Sequence, residues 1–386
     1  MLVEWCLDPD ITYLNHGTVG APPRRALEAQ DSIRRSMERQ PAQFLLRELS
    51  AIAVGGPRAE PPRMRLAAER VARFLGANGP DLAFVDNATT AINAVLRSIA
   101  FRPGDEILIT DHAYGAIRNA AAFRARESGA AVRTVEIPGP PYEGGRILEA
   151  LEEALSPHIR LAIIDHITSE TALLLPITAI VSLCRNRGVP ILVDGAHAPG
   201  AVPVDLGALG ADWYAANLHK WAYAPHSSGI LWRDPASRQE LHPPVISWGL
   251  DQGFAVEFDW VGTRDPSAHL AAPEGIAFLE ELGVESVRDY NHRLAWEAGD
   301  LLADRWGTEV PAGEAMIGAM VTLPLPERLG GSREDAARVR DHLLFDHRIE
   351  VQIHAWRGRL WTRVSAQVYN DRSDVERLSR AVETLA

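Results

Sequence analysis

Short apolar, β-branched runs alternate with amphipathic stretches between Asp81 and Trp232. The runs at 82–85, 106–110, 132–137, 161–165, 191–194, 213–216 and 229–232 have strand length, and the segments at 90–99, 116–128, 147–155 and 177–186 carry apolar residues at helical spacing. Such strand-then-helix repetition predicts βα units feeding a mostly parallel sheet. Upstream, 24–39 and 63–75 read as helices. The loop Gly55-Gly56-Pro57-Arg58-Ala59-Glu60-Pro61-Pro62 separates them, and its glycines and prolines predict an exposed, mobile connection. After Pro273 the pattern becomes helix at 274–282 and 284–306, strand at 319–323, helix at 333–347, short strands and a last helix from Ser373. We therefore expect an α/β protein with a large domain (15–272) around the parallel sheet and a smaller α+β domain (273–386). An N-terminal segment (1–14) is expected to pack with the small domain.

In an open parallel sheet, ligands collect at the carboxyl ends of the strands, so polar residues that follow an apolar run carry most weight. Asp194 closes the run at 191–194, where a buried carboxylate needs a permanent cation or at least a local salt bridge. Lys220 follows the run at 213–216. Alone it would read as a surface lysine, but His219, Trp221 and Tyr223 around it are unlike a solvated face. An amine that can form a Schiff base and a carboxylate that can keep a pyridine nitrogen protonated are the pair that pyridoxal phosphate chemistry requires.

Other strand ends add polar groups. In Asp86-Asn87-Ala88-Thr89-Thr90-Ala91, free amides and the Thr89 and Thr90 hydroxyls can cradle a phosphate at a helix N-terminus, or simply cap it. In Asp111-His112-Ala113-Tyr114-Gly115, either His112 or Tyr114 can lay its ring against a cofactor ring, a core aromatic being the alternative. His166 and Ser169 follow the run at 161–165. Arg363, inside a strand-like stretch of the small domain, can grip a substrate carboxylate with its planar fork or serve a structural ion pair. Cys184 shares a helical face with Ile177, Ile180 and Val181 and reads as core.

Charge narrows the partners. A formal net charge of -12 argues against a general nucleic-acid surface, which needs clustered Lys and Arg. No apolar run reaches the roughly 20 residues of a membrane span, and Met1-Leu2-Val3-Glu4-Trp5 lacks the pattern of a secretory signal, so a cytoplasmic location is expected. Cys6 and Cys184 are too few for a disulfide framework, and no metal site is expected.

Taken together, these residues resemble the fold-type-I, class V aminotransferase superfamily and its isopenicillin N epimerase-like branch. The resemblance runs from Tyr13-Leu14-Asn15-His16-Gly17 to Arg363-Val364-Ser365. It rests most on Asn87-Ala88-Thr89-Thr90, Asp111-His112-Ala113-Tyr114-Gly115, Asp194-Gly195-Ala196-His197, Leu218-His219-Lys220-Trp221 and Trp260-Val261-Gly262-Thr263-Arg264-Asp265-Pro266. It implies a pyridoxal 5'-phosphate enzyme with Lys220 as the Schiff-base lysine and Asp194 on the pyridine nitrogen. Ala88, Thr89, Asn217 and His219 would bind the phosphate, joined by Gly262 and Thr263 from the neighbouring subunit of a homodimer. Ser169 and His197 would reach the ring oxygen, Tyr114 would stack on the ring with His112 as the alternative, and Arg363 would hold the substrate carboxylate near Asn15 and His16. Two departures stand out. Cysteine desulfurases of the superfamily carry a catalytic cysteine before the arginine, whereas 348–363 has none, and Glu170 stands where close relatives usually have proline. The expected reaction begins with α-proton removal from an amino acid or small peptide-like substrate. Epimerisation is the first expectation, with carbon–sulfur lysis of a cysteine conjugate, transamination or a non-catalytic, regulatory cofactor module as alternatives.

Overall fold

The structure is a computed structural model and describes residues 1–52 and 59–385. Twelve strands form three sheets among these residues. They are β1 (Thr12–Tyr13), β2 (Leu82–Val85), β3 (Glu106–Thr110), β4 (Ala131–Val135), β5 (Ile159–Asp165), β6 (Ile191–Asp194), β7 (Trp213–Asn217), β8 (Gly229–Arg233), β9 (Met320–Pro324), β10 (Ile349–Glu350), β11 (Gln352–Trp356) and β12 (Arg359–Ser365). The central sheet has the order β2-β8-β7-β6-β5-β3-β4, with β8 antiparallel to both neighbours and the other pairings parallel. Every residue of β2, β6 and β7 is buried, as expected of strands covered by helices on both faces. In the C-terminal part, β11-β12-β9 form an antiparallel sheet with its own apolar cluster around Leu323, Val339, Leu343 and Leu378.

The strand expectations hold to within two residues at each end, and three other differences have physical causes. The helix expected from 274 begins seven residues earlier: Ser267–Leu282 carries Pro273 inside it. A proline removes one N–H and normally ends a helix, but this helix packs on Arg24–Arg39 and Arg63–Phe74, and tertiary contact overrides the local preference. The same helix presses Gly275 against the chain leading from Lys220, where a Cβ would fall 2.4 Å from the Tyr223 carbonyl oxygen. A π-helical turn at Phe44–Glu48 and a short helix at Phe254–Asp259 had no sequence signature. The 55–58 part of the loop expected to be mobile lies outside the described residues, while its Ala59 N–H bonds to the Arg47 carbonyl at 2.9 Å.

The N-terminus crosses from one half of the protein to the other. β1 pairs in parallel with β10, Asn15 bridges to Ser365 of β12, and the chain then passes beneath the segment that bears Lys220. Gly20 makes that passage possible. Its φ is +78°, and a Cβ there would fall 1.8 Å from the His219 carbonyl oxygen. No helix among the described residues is long and apolar enough to cross a membrane. No cluster of three His, Cys, Asp or Glu among them is arranged to hold a metal.

Candidate active site

A cavity of about 610 Å³ is lined by residues at the carboxyl ends of β5, β6 and β7 and by Gln352 and Arg363 of the small sheet. At one end it meets the start of helix Ala88–Ser98. Asn87 caps this helix by accepting from the Thr90 N–H at 2.9 Å, and Asn217 Oδ1 accepts from the Ala88 N–H at 2.9 Å. The Thr89 N–H has no protein partner among the described residues. The expected anion cradle is therefore more economical than the motif implied. Ala88 and Thr90 have their amides engaged, and Thr89 offers the free donor at the positive end of the helix. His219 also lines the cavity. Its Nδ1 lies 2.9 Å from the Ser228 carbonyl, so the neutral ring carries its proton there and turns Nε2 outward. Burial lowers its pKa to about 4.

The middle of the cavity is built on Asp194 and Lys220, 5% and 9% exposed. Asp194 Oδ1 accepts the Ala196 N–H at 3.0 Å, a turn that requires Gly195 because a Cβ there would sit 2.1 Å from the Tyr214 ring. Burial raises the Asp194 pKa, and the cation opposing that rise is Lys220. Lys220 is driven the other way: burial first, then the positive charge of Arg363, lower it from 10.5 to about 7 despite Asp194. Its Nζ lies 3.1 Å from His197 Nε2, while His197 Nδ1 is buried without a partner. His197 is held well below the ordinary histidine range by burial.

Arg363 closes the far side. Nη1 donates to the Ser169 carbonyl at 2.5 Å and Nη2 to Thr18 Oγ1 at 2.6 Å. Thr18 in turn donates to Asn15, whose side-chain amide donates to Glu350 at 2.8 Å. Burial lowers the arginine to about 10, which leaves it cationic at neutral pH. Ser169, Glu170 and Tyr114 also line the cavity, and Tyr114 remains 47% exposed.

Three groups of expected residues do not reach this cavity wall within the chain. His112 is turned away: its Nδ1 pairs with Thr171 Oγ1 at 2.7 Å, and its ring packs edge-on to Tyr142 and Trp356. Asn15 and His16 stand behind the wall. His16 spans Tyr369 OH and the Lys220 carbonyl, both at 2.9 Å, and Thr18 takes the place at the cavity expected for them. Gly262 and Thr263 lie outside the cavity, Thr263 on the surface and Gly262 at a φ of +112°. Thr18, Asp165 and Gln352 line the cavity without having been expected there: Asp165 closes the apolar run at 161–165, and Gln352 lies in register opposite Arg363, a pairing invisible before β11 and β12 are aligned. Neither Cys6 nor Cys184 lines the cavity, and Cys184 is buried as expected.

These residues fit pyridoxal 5'-phosphate. The free Thr89 amide at a helix start suits a phosphate, the buried Asp194 carboxylate suits a protonated pyridine, and a buried lysine with a pKa near 7 suits an aldehyde. The model of the aminotransferase class-V family matches residues 62–328. The chain is 35% identical to isopenicillin N epimerase of Amycolatopsis lactamdurans, over 98% of this chain and 96% of that protein. It is 32% identical to L-cysteine desulfhydrase of Arabidopsis thaliana, over 97% and 88%. Among solved structures it superposes on a cystine C–S lyase in complex with cysteine persulfide with a TM-score of 0.80 at 22% identity, covering 98% of each chain. Cysteine desulfurase of Thermococcus onnurineus NA1 gives a TM-score of 0.79 at 20% identity, over 99% and 96%.

Proposed function

The chain belongs to the aminotransferase class-V family of pyridoxal-phosphate-dependent enzymes, and within it we propose that it is a carbon–sulfur lyase acting on cysteine or a cysteine conjugate. The observation that carries this reading is that the Lys220 amine, its basicity lowered by burial, lines the cavity beside Asp194 and His197 while His112 is turned away from it. Elimination asks for one base and a leaving group, whereas inversion at the α-carbon asks for a donor on each face.

The bound cofactor supplies the electron sink for the α-carbanion. The chain's own residues do the rest. Arg363, aimed by its bonds to Ser169 and Thr18, takes the α-carboxylate with the N–H donors that those bonds leave free. The Lys220 amine, whose pKa lowered to about 7 favours the neutral base once substrate has displaced it, removes the α-proton, and His197 beside it holds the amine in line. Asp194, buried at the end of β6, would face the ring nitrogen and keep it protonated. The Cβ–S bond breaks as the electron pair left on Cα forms a Cα–Cβ double bond, the proton carried by Lys220 goes to the departing sulfur, which leaves as a thiol, and water hydrolyses the released enamine to pyruvate and ammonia.

Epimerisation is the second reading, favoured by the half-exposed Tyr114 phenol on the cavity wall and by the epimerase relatives. Holoenzyme incubated with L-cysteine and S-substituted cysteines separates the two. Pyruvate and ammonia support lysis, and loss of α-deuterium from an intact amino acid overturns it in favour of epimerisation. Tyr114→Phe should leave elimination within about threefold but abolish inversion. We further propose a homodimer in which Gly262 and Thr263 reach the phosphate end of the partner's cavity. Their position away from the cavity of their own chain supports it. Sedimentation at micromolar concentration tests it.

A further inference from the structure

Asp165 has no task in the chemistry above. It ends β5 in register with Asp194 of β6, and paired residues on adjoining parallel strands emerge on the same face of the sheet. Both carboxyls line the cavity, and Asp165 is 4% exposed. The charged groups acting on it are Asp194 alongside and Arg118 of helix Gly115–Ser128, and the arginine is not within ion-pair distance. The Lys220 charge acts on Asp194 and not on Asp165, so the two neighbouring buried carboxylates do not both ionise and the pair retains a proton.

The surroundings decide which residue keeps it. Asp194 has the Ala196 N–H on Oδ1 and Lys220 as an attractive charge, and it faces the pyridinium when the cofactor is bound. Asp165 has its own backbone N–H and the more distant Arg118, and no lysine charge acting on it. We propose that Asp165 is a positioning residue of the cofactor site: it stays a neutral carboxylic acid and donates its O–H to the Asp194 carboxylate. Burial and the Asp194 charge push its pKa well above the usual carboxylate range, in the same direction. A carboxylate that already accepts this bond is a weaker base, so it leaves the proton on the ring nitrogen and keeps the ion pair that retains the cofactor. The inference rests on the cofactor alone and is the same for lysis and epimerisation.

Infrared spectroscopy of the holoenzyme at pH 7.5 tests it directly. The expected result is a protonated-carboxyl C=O band that disappears in Asp165→Asn and shifts in Asp165→Glu. Retention of pyridoxal phosphate gives a second reading: Asp165→Ala should release it about tenfold more readily, and Asp165→Asn, which still donates, should stay within about threefold of wild type. Should Asp165→Asn fail to fold, the band shift in Asp165→Glu and the retention of cofactor in Asp165→Ala carry the test. A wild-type spectrum without the acid band, a band that survives in Asp165→Asn, or unchanged retention in Asp165→Ala overturns the proposal.

Discussion

The Lys220 amine lies 3.1 Å from Nε2 of His197, in a pocket where burial weakens both bases. Only a neutral amine attacks the aldehyde of pyridoxal phosphate, so the rate at which apoenzyme takes up cofactor should rise from pH 6 to 8 with a midpoint near 7 and then level off. Arg363→Leu removes a repelling cation and should move the midpoint up. Asp194→Asn removes an attracting carboxylate and should move it down. Stopped-flow absorbance reads the profile, and a rate still climbing beyond pH 9 contradicts the lowered lysine.

The same shift has a stability consequence whose sign is fixed. The folded pKa of Lys220, about 7, lies below its unfolded value of 10.5. Between those limits the unfolded chain binds the extra proton, so apoenzyme stability should increase with pH, by at most about 1.4 kcal/mol per unit from this group. Lys220→Met should flatten that slope in denaturant unfolding and raise apoenzyme stability at pH 7, while abolishing turnover. Equal slopes in the two proteins would exclude the effect.

Arg363 donates to Thr18 and Ser169, so its guanidinium is aimed before substrate arrives. Arg363→Leu should lower kcat/KM by about 100-fold or more, mainly through KM, because the substrate carboxylate loses its charge partner. Thr18→Ala leaves the charge but removes one of the bonds that aim it. A rise in KM of about three- to tenfold with little change in kcat is expected. Steady-state kinetics on one substrate checks both.

His16 is fully buried and joins Tyr369 OH to the backbone carbonyl of Lys220. Removing the ring in His16→Ala strands two buried polar groups and should cost about 2–3 kcal/mol in denaturant unfolding. His16→Gln should recover part of it. A loss below about 0.5 kcal/mol would mean that the bridge contributes little.

Much of the site was legible because apolar strand runs end abruptly in polar residues. Asp194, Asn217 and Lys220 stand at or just beyond buried strands, and strand ends are where an open sheet presents its ligand groups. What stayed hidden depends on partners remote in sequence. His112 is withdrawn from the cavity by partners that include Trp356 of β11, which packs edge-on to its ring. Asp165 gains meaning only once β5 and β6 are in register, and Thr18 only once the N-terminus lies against Arg363. Pro273 misled in the opposite direction, because a local helix breaker was outweighed by packing.

The crossing made by residues 12–20 has a bearing on how the enzyme matures. Leu14 accepts a backbone bond from Ser365, Thr18 meets Arg363, and His16 holds the lysine segment. A ribosome therefore releases nearly all of the polypeptide before the first twenty residues find their seats. Vitamin B6 acquisition becomes an act of the finished chain, and a product truncated before residue 363 would be left without its carboxylate grip.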